Sequence, residues 1–297
     1  MLRTKLLTLS AVTAAAALSL TACAPSSSQG GGGDAAGSSS AGESTSSGSG
    51  ESLRIGIKFD QPGLGYREGS AQPTGFDTDV ARYVADKLGV AEKDIEWVQT
   101  PSANRENALE NGEVDMIFAT YSITDARKER VAFAGPYFVA GQDLLVRADD
   151  TAITGPESLE GKNLCSVTGS TSAQKIKDQF ASGVNLVEQG GYAECVTYLE
   201  SGQVDAVTTD DIILAGLAAA DANKGKFKVV GNTFTTERYG VGLPKDSEHC
   251  EDINEAIKEM KDSGEWKKAL ESNTEGTGYT YDETLNSGED AEFEPCA

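Results

Sequence analysis

From Leu53 onward the apolar residues fall into short alternating runs and helical stripes. Leu53-Arg54-Ile55-Gly56-Ile57 alternates with a period of two and predicts a strand. Phe76, Val80, Tyr83, Val84 and Leu88 recur at helical spacing, and Gly89 stops that helix. Ile95 to Val98 predicts a strand. Ser102 has the chemistry of a helix N-cap, with Leu109 and Gly112 as the body and stop of that helix. Val114 to Phe118 predicts a buried strand, and Tyr137 to Val146 forms a long apolar run ending at Arg147.

A second unit follows the same rhythm. Asn163 to Val167 predicts a strand, and the turn from Thr168 to Ser172 opens a helix running toward Phe180. Helices are predicted over Tyr192 to Glu200 and Ile212 to Ala220, with strands over Val204 to Thr208, Phe227 to Val230 and Tyr239 to Leu243. Two helices, Glu251 to Lys261 and Glu265 to Leu270, precede an acidic tail. One segment is echoed: Leu109-Glu110-Asn111-Gly112-Glu113-Val114-Asp115 and Leu199-Glu200-Ser201-Gly202-Gln203-Val204-Asp205 are both a helix end, a glycine stop and a strand start. Each strand then runs into polar residues, Thr120 to Ser122 and Thr208 to Asp210. Ligands of open α/β sheets bind beyond the carboxyl ends of strands. Two α/β lobes facing each other across one cleft are therefore expected, although such punctuation is also common between any helix and strand.

The first 52 residues differ in kind. Arg3 and Lys5 precede an apolar stretch from Leu6 to Leu20 that fits a secretory leader. Leu20-Thr21-Ala22-Cys23 resembles a bacterial lipobox, which makes Cys23 the lipidated first residue of a mature chain. Residues 24–51 are nearly all Gly, Ser, Ala and Thr, too poor in apolar surface to offset the entropy of ordering. Positions 1–22 are thus expected to be a leader, and 23–52 a lipidated cysteine with a flexible tether.

Charge narrows the partners. The net charge is −22, and removal of a leader carrying Arg3 and Lys5 takes it to −24. Such a chain is a poor match for nucleic acid or an anionic lipid face. A single histidine, His249, argues against His-dependent metal sites and Ser-His-Asp or Cys-His catalysis. Besides Cys23 there are four cysteines, Cys165, Cys195, Cys250 and Cys296. In an exported chain an even count suggests two disulfides, with three pairings open. No close CxxC pair favours zinc, and no metal or cofactor is expected.

Three features carry candidate chemistry. The Thr168–Ser172 turn presents backbone N–H groups at a helix start, an anion site or a satisfied N-cap turn. Gly155 to Lys162 misses the phosphate-binding loop pattern by one residue, and Asn163 replaces its Ser or Thr, so a carboxylate suits the turn better than a nucleotide. Arg127 can hold a carboxylate in a bidentate fork, or belong with Lys128 and Arg130 to a solvated face. Asp210 and Asp211 can form an N-cap pair for the next helix.

The stretches Tyr121-Ser122-Ile123-Thr124-Asp125-Ala126-Arg127 and Phe133-Ala134-Gly135-Pro136-Tyr137 resemble the signature of family 3 bacterial extracellular solute-binding proteins, which serve ABC importers of polar amino acids. The likeness continues in Gly75-Phe76-Asp77-Thr78-Asp79, Gly169-Ser170-Thr171, Val204-Asp205-Ala206-Val207 and Tyr239-Gly240-Val241-Gly242-Leu243. With Ile55-Gly56-Ile57-Lys58-Phe59-Asp60-Gln61-Pro62-Gly63, the lipobox and four further cysteines, it extends to the glutamate-binding lipoproteins of actinobacteria.

The resemblance implies a two-lobed, type II periplasmic-binding-protein-like α/β fold joined by two hinge strands. Lobe 1 would span 53–141 plus 239–297, and lobe 2 would span 142–238, with crossings near Gly141 and Glu237. Sequential pairing, Cys165 with Cys195 and Cys250 with Cys296, then keeps each bridge inside one lobe. Arg127 would clamp the ligand α-carboxylate with Ser122 and the Thr171 backbone. Thr120 would bond the α-carboxylate or ammonium, and Asp210 would pair with the ammonium. Lys58 and Arg105, with Ser102 beside them, fall where acidic-amino-acid binders place cations for the side-chain carboxylate, and Tyr192 stands where such binders use a histidine. The implied ligand is glutamate, with aspartate, glutamine and asparagine as competitors. The implied partners are an ABC permease and ATPase, and the protein is expected to act as a lipid-anchored monomer. An exported dehydratase-like enzyme on the same fold and a sensor that reports ligand to a receptor are the rivals.

Overall fold

The alternation at Leu53–Ile57 forms strand β1, which opens the part of the chain described by the computed structural model, residues 52–180 and 183–296. The leader, Cys23 with its lipobox and the tether lie outside the described residues. Next come a short hairpin of β2 (Asp60–Gln61) and β3 (Gly65–Tyr66), and helix α1 (Phe76–Lys87). The apolar stripe of α1 buries Phe76, Val80, Ala81, Val84 and Ala85. Burying a side chain as large as Phe or Val contributes roughly 1.5–3 kcal/mol. Strand β4 (Ile95–Gln99), helix α2 (Arg105–Glu110), strand β5 (Met116–Ile117) and the short helix α3 (Asp125–Lys128) lead into β6 (Ala132–Ala140).

The long apolar run breaks at Gly141 into β6 and β7 (Gln142–Arg147), which belong to different sheets. There follow β8 (Asn163–Val167), α4 (Thr171–Lys175) extended by one wide turn to Phe180, and β9 (Asn185–Gln189). Helix α5 (Tyr192–Glu200), strand β10 (Ala206–Asp210), helix α6 (Asp211–Ala219) and β11 (Phe227–Val229) complete the second unit. Strand β12 (Glu237–Leu243) returns to the first sheet. Helices α7 (Cys250–Asp262), α8 (Glu265–Thr274) and α9 (Glu283–Ser287) follow.

Two five-stranded sheets result, ordered β4-β1-β5-β12-β6 and β11-β7-β10-β8-β9. In the first, β1 runs parallel to β4 and β5 while β12 is antiparallel to β5 and β6. In the second, β8 runs parallel to β9 and β10 while β7 is antiparallel to β10 and β11. The sequence echo has a physical role in both. Asp115 Oδ2 accepts the Arg54 N–H at 2.8 Å, and Asp205 Oδ2 accepts the Asn163 N–H at 2.9 Å. Each aspartate thereby ties the entry of its strand to the neighbouring parallel strand. The lobes meet with β5 and β10 pointing their polar ends at one cleft, as the fold class predicted.

One element differs from the sequence expectation. Ser102 is not an N-cap: it lies inside a 3₁₀ turn over Ser102–Asn104, and its hydroxyl faces Lys58 instead. The acidic tail is an ordered strap on lobe 1. Asn286 bonds both the N–H and the C=O of Val139 at 2.9 Å, and Arg238 donates to the Asp290 carbonyl at 2.8 Å. Disulfides join Cys165 to Cys195 and Cys250 to Cys296, across separations of 30 and 46 residues. Loops of such lengths correspond to roughly 3–4 kcal/mol each by restriction of the unfolded chain. No described helix is long and apolar enough to cross a membrane.

Candidate functional site

The cleft wall begins where β5 ends. Thr120 adopts φ 45°, the only non-glycine residue at positive φ among the described residues. That conformation costs about 1–3 kcal/mol and persists only when its surroundings enforce it. Asp77 does so: its Oδ2 accepts the Thr120 N–H at 3.0 Å, and its Oδ1 accepts the Tyr137 hydroxyl at 2.8 Å. Burial pushes the Asp77 carboxyl up to about 6, against the pull of those bonds and of Lys58 and Arg105. The turn aims the Ala119 and Thr120 carbonyls at Arg105 Nη1, 2.9 and 3.4 Å away.

Arg105 opens α2 and is 2% exposed, with its guanidinium 4.1 Å from the Tyr121 ring centroid. Its Nε is buried without a partner. Lys58, 3% exposed, follows β1 and donates to Ser102 Oγ at 2.7 Å. Burial, and then the Arg105 charge, lower the Lys58 ammonium to about 7. Among the described residues neither cation forms an ion pair with a carboxylate. Two buried cations side by side are unfavourable unless a negative group joins them.

Arg127 is placed by α3, whose N-cap Thr124 accepts the Arg127 N–H at 3.3 Å. The guanidinium spans the lobes: Nη1 donates to the Ser122 carbonyl at 2.6 Å and Nη2 to the Gly169 carbonyl at 3.0 Å. Its Nε lies 3.3 Å from Glu106 Oε1. Burial, then Arg105, lower it to about 10. Ser122 Oγ and Thr171 Oγ1 meet across the cleft at 3.3 Å, and Thr171 donates to Glu237 Oε2 at 3.0 Å. A hydroxyl has one hydrogen, so Ser122 is the donor to Thr171.

Asp210 ends β10 and precedes α6, yet its side chain makes no cap bond. Its Oδ2 accepts the Tyr239 hydroxyl at 2.5 Å, and its buried Oδ1 has no partner. Burial, then Glu237, push this carboxyl well above the usual carboxylate range. Tyr192 begins α5 and is 3% exposed. Burial, then Asp210, raise its phenol to about 12.

The structure therefore gathers the predicted residues into two groups. Lys58, Ser102 and Arg105 form one on lobe 1 alone. Ser122, Arg127 and Thr171 form the other across the cleft. Thr120 abuts the first group through its carbonyl on Arg105, while Asp210 and Tyr192 lie on lobe 2. Sequence reasoning assigned no role to five neighbours. Gln61 is 1% exposed, its Oε1 accepts the Thr120 hydroxyl at 3.3 Å, and its Nε2 lacks a partner. Tyr121 lies under both arginines, 4.1 Å from Arg105 and 5.0 Å from Arg127. Asp77, Glu237 and Tyr239 hold Thr120, Thr171 and Asp210. Only Asp77 had a readable signal: it stands three and seven residues before Val80 and Val84, on the buried face of α1. Among the described residues no His, Cys, Asp or Glu cluster has metal-holding geometry.

Two lobes around a buried, charged cleft are the build of a binding protein. Residues 53–274 match the family described as bacterial extracellular solute-binding proteins, family 3, and the chain belongs to it. It is an extracellular solute-binding protein rather than an enzyme. The glutamate-binding protein GluB of Corynebacterium efficiens is 48% identical over 233 residues, covering 75% of this chain and 78% of that protein. A glutamine-binding protein of Geobacillus stearothermophilus is 38% identical over 203 residues, covering 68% and 76%. A solved ancestral arginine-binding protein bound to glutamine superimposes with a TM-score of 0.69 at 36% identity, over 75% of this chain and 97% of that one.

Proposed function

We propose that this chain captures glutamate in the cleft between its lobes and hands it to an ABC importer at the outer face of the membrane. The observation that carries the choice of ligand is the Lys58–Arg105 pair, buried without an ion pair to any described carboxylate, Asp60 and Asp77 acting on Lys58 only from beyond contact distance. A side-chain carboxylate supplies the missing charge, and an amide does not. Asp210, with a buried oxygen lacking a partner, suits the ligand ammonium. Arg127, Ser122 and Thr171 serve the α-carboxylate, with Thr120 and Tyr192 shaping the walls. The names of the glutamate- and glutamine-binding relatives support an amino acid of this size and polarity. Lobe 1 is 53–141 with 239–297, lobe 2 is 142–238, and closure of one on the other creates the form that the permease reads. The protein acts as a monomer, held by a lipid on Cys23 and the glycine-serine tether. Removing the cysteine, Cys23→Ala, releases it from membranes, and retention after a salt wash would contradict the anchor.

Calorimetry with glutamate, aspartate, glutamine and asparagine at fixed salt and pH 7 tests the ligand. Glutamate is expected to bind tightest. Tighter binding of glutamine would remove the case for Lys58 and Arg105 as carboxylate partners.

A further inference from the structure

The hairpin of β2 and β3 is anchored in lobe 1 and reaches into lobe 2. Its anchors are backbone bonds: Phe76 N–H donates to the Gly63 carbonyl at 3.0 Å, and Arg67 N–H to the Phe59 carbonyl at 3.2 Å. On its far side β2 lies against α5 and α6, both lobe 2 helices of nine residues. Asp60 Oδ2 accepts the Tyr192 N–H at 2.9 Å, at the positive end of α5 where a carboxylate is favoured. The Pro62 carbonyl points at the backbone of α6 at Gly216.

Both contact points are glycines for no reason of their own backbone. Gly191, the N-cap of α5, has φ −147° and ψ 161°, extended geometry that any residue adopts. Its capping position favours Ser, Thr, Asn or Asp. Gly216 sits inside α6, where glycine is the poorest choice short of proline. What each lacks is space. A Cβ on Gly191 would stand 2.5 Å from Asp60 Oδ2, and one on Gly216 would overlap the Pro62 carbonyl oxygen. At both positions the obstructing atoms belong to lobe 1 alone. Adjacent Gly190 is different: a Cβ there meets only Glu194, at 3.6 Å.

We propose that the Asp60–Tyr66 hairpin is the tooth with which lobe 1 engages lobe 2, and that Gly191 and Gly216 are its sockets, kept bare so that the cleft can close. This rests on the proposed capture of an amino acid by lobe closure. The device ties closure to the site, because Asp60 follows Lys58 by two residues and its partner Tyr192 lines the opposite wall. Asp60 thus positions the two walls against each other without needing to touch the ligand.

Gly191→Ser and Gly216→Ala each improve the helix that carries them while obstructing the hairpin. The test uses the full chain with a donor–acceptor fluorophore pair at Glu113 and Gln203, exposed turns on the two lobes. Glutamate affinity, the ligand-induced change in energy transfer and the ligand-free melting temperature are measured for wild type, both variants and Gly190→Ala. Gly216→Ala is expected to lose at least about tenfold in affinity and most of the energy-transfer change, since a collision with the Pro62 backbone carbonyl bars the closed state, and Gly191→Ser to lose less, since there the Asp60 side chain alone must turn away from the α5 N-terminus. Gly216→Ala should melt roughly 2–4 °C higher, the usual effect of replacing a mid-helix glycine in a protein of this size. Gly190→Ala should bind and close like wild type. Wild-type affinity and closure in both variants would overturn the proposal. So would a melting temperature well below wild type, which would mean that these glycines serve lobe 2 itself. A wild type that binds none of the four amino acids would overturn the proposed function instead, and the inference with it.

Discussion

The two cationic regions of the cleft are built on opposite plans. Around Arg127 the protein meets most of its own needs: two carbonyls, one from each lobe, and Glu106 face the guanidinium. Around Arg105 and Lys58 every partner comes from lobe 1 and none is an anion: two carbonyls, a hydroxyl and the face of Tyr121. The first region is a junction between lobes, and the second is a pocket of charge inside one lobe. On the proposed function the division separates two tasks. Contacts that every amino acid makes lie where the lobes meet, so they reward closure. The contact that distinguishes glutamate lies on one lobe, where it can be left unsatisfied without disturbing the junction.

The largest expected effect is at the junction. Arg127→Ala removes a buried cation that bonds both lobes, and every amino-acid ligand should lose roughly 2–5 kcal/mol of affinity, about equally. Calorimetry with glutamate and glutamine checks it. A loss confined to glutamate would merge the two regions into one.

Next in size is Arg105→Ala. Glutamate should lose about 2 kcal/mol more than glutamine, because a desolvated carboxylate needs the charge and an amide does not. An unchanged ratio of the two affinities would erase the distinction between the regions.

Lys58 adds a pH dependence. With glutamine bound it stays buried beside Arg105 with no ligand carboxylate, so its ammonium is expected to stay lowered to about 7 by burial and by the Arg105 charge. With glutamate bound the carboxylate holds the proton on, and the value is higher. Binding of glutamate relative to glutamine therefore takes up a proton above pH 7. The affinity ratio should be flat below about 7 and fall as pH rises beyond it, by at most about tenfold per unit. Asp210 titrates with both ligands and cancels from the ratio. A ratio that rises with pH would place the carboxylate away from Lys58.

Much of this was legible because local patterns report local structure. A period-two run found β1, a helical stripe found α1, and the Leu-x-x-Gly-x-Val-Asp echo found two lobes with equivalent strand entries. Of the residues that carry the family resemblance, Ser122, Arg127 and Thr171 meet between the lobes, while Phe76, Phe133, Val207 and Val241 build the cores behind them. Illegible were interactions between residues far apart in sequence that carry no periodic signal. Asp77 holding Thr120 at positive φ is one, across 43 positions, and Asp60 on the α5 terminus is another, across 132. Ser102 was misread for the opposite reason. Its local pattern fits a cap, but the hydroxyl is drawn to Lys58 by a need that no local window contains.

The smallest effect on affinity concerns the ring that both regions share. Tyr121 presents its face to Arg105 and Arg127, while its hydroxyl donates to Glu106 Oε1 at 2.7 Å. Glu106 also faces Arg127 Nε. Tyr121→Phe keeps the ring, and with it the attraction of an aromatic face for both cations. It removes one hydrogen bond to a charged carboxylate, whose second partner, Arg127, remains. The protein should lose roughly 1.5–3 kcal/mol of stability, the usual range for one bond to a charged group. The ratio of glutamate to glutamine affinity should stay within about twofold of wild type, since neither Lys58 nor Arg105 loses a partner. Thermal unfolding and paired titrations measure both quantities. A larger shift in the ratio would mean that the hydroxyl sets the position of Arg105 through the ring, and that the two regions are coupled rather than independent.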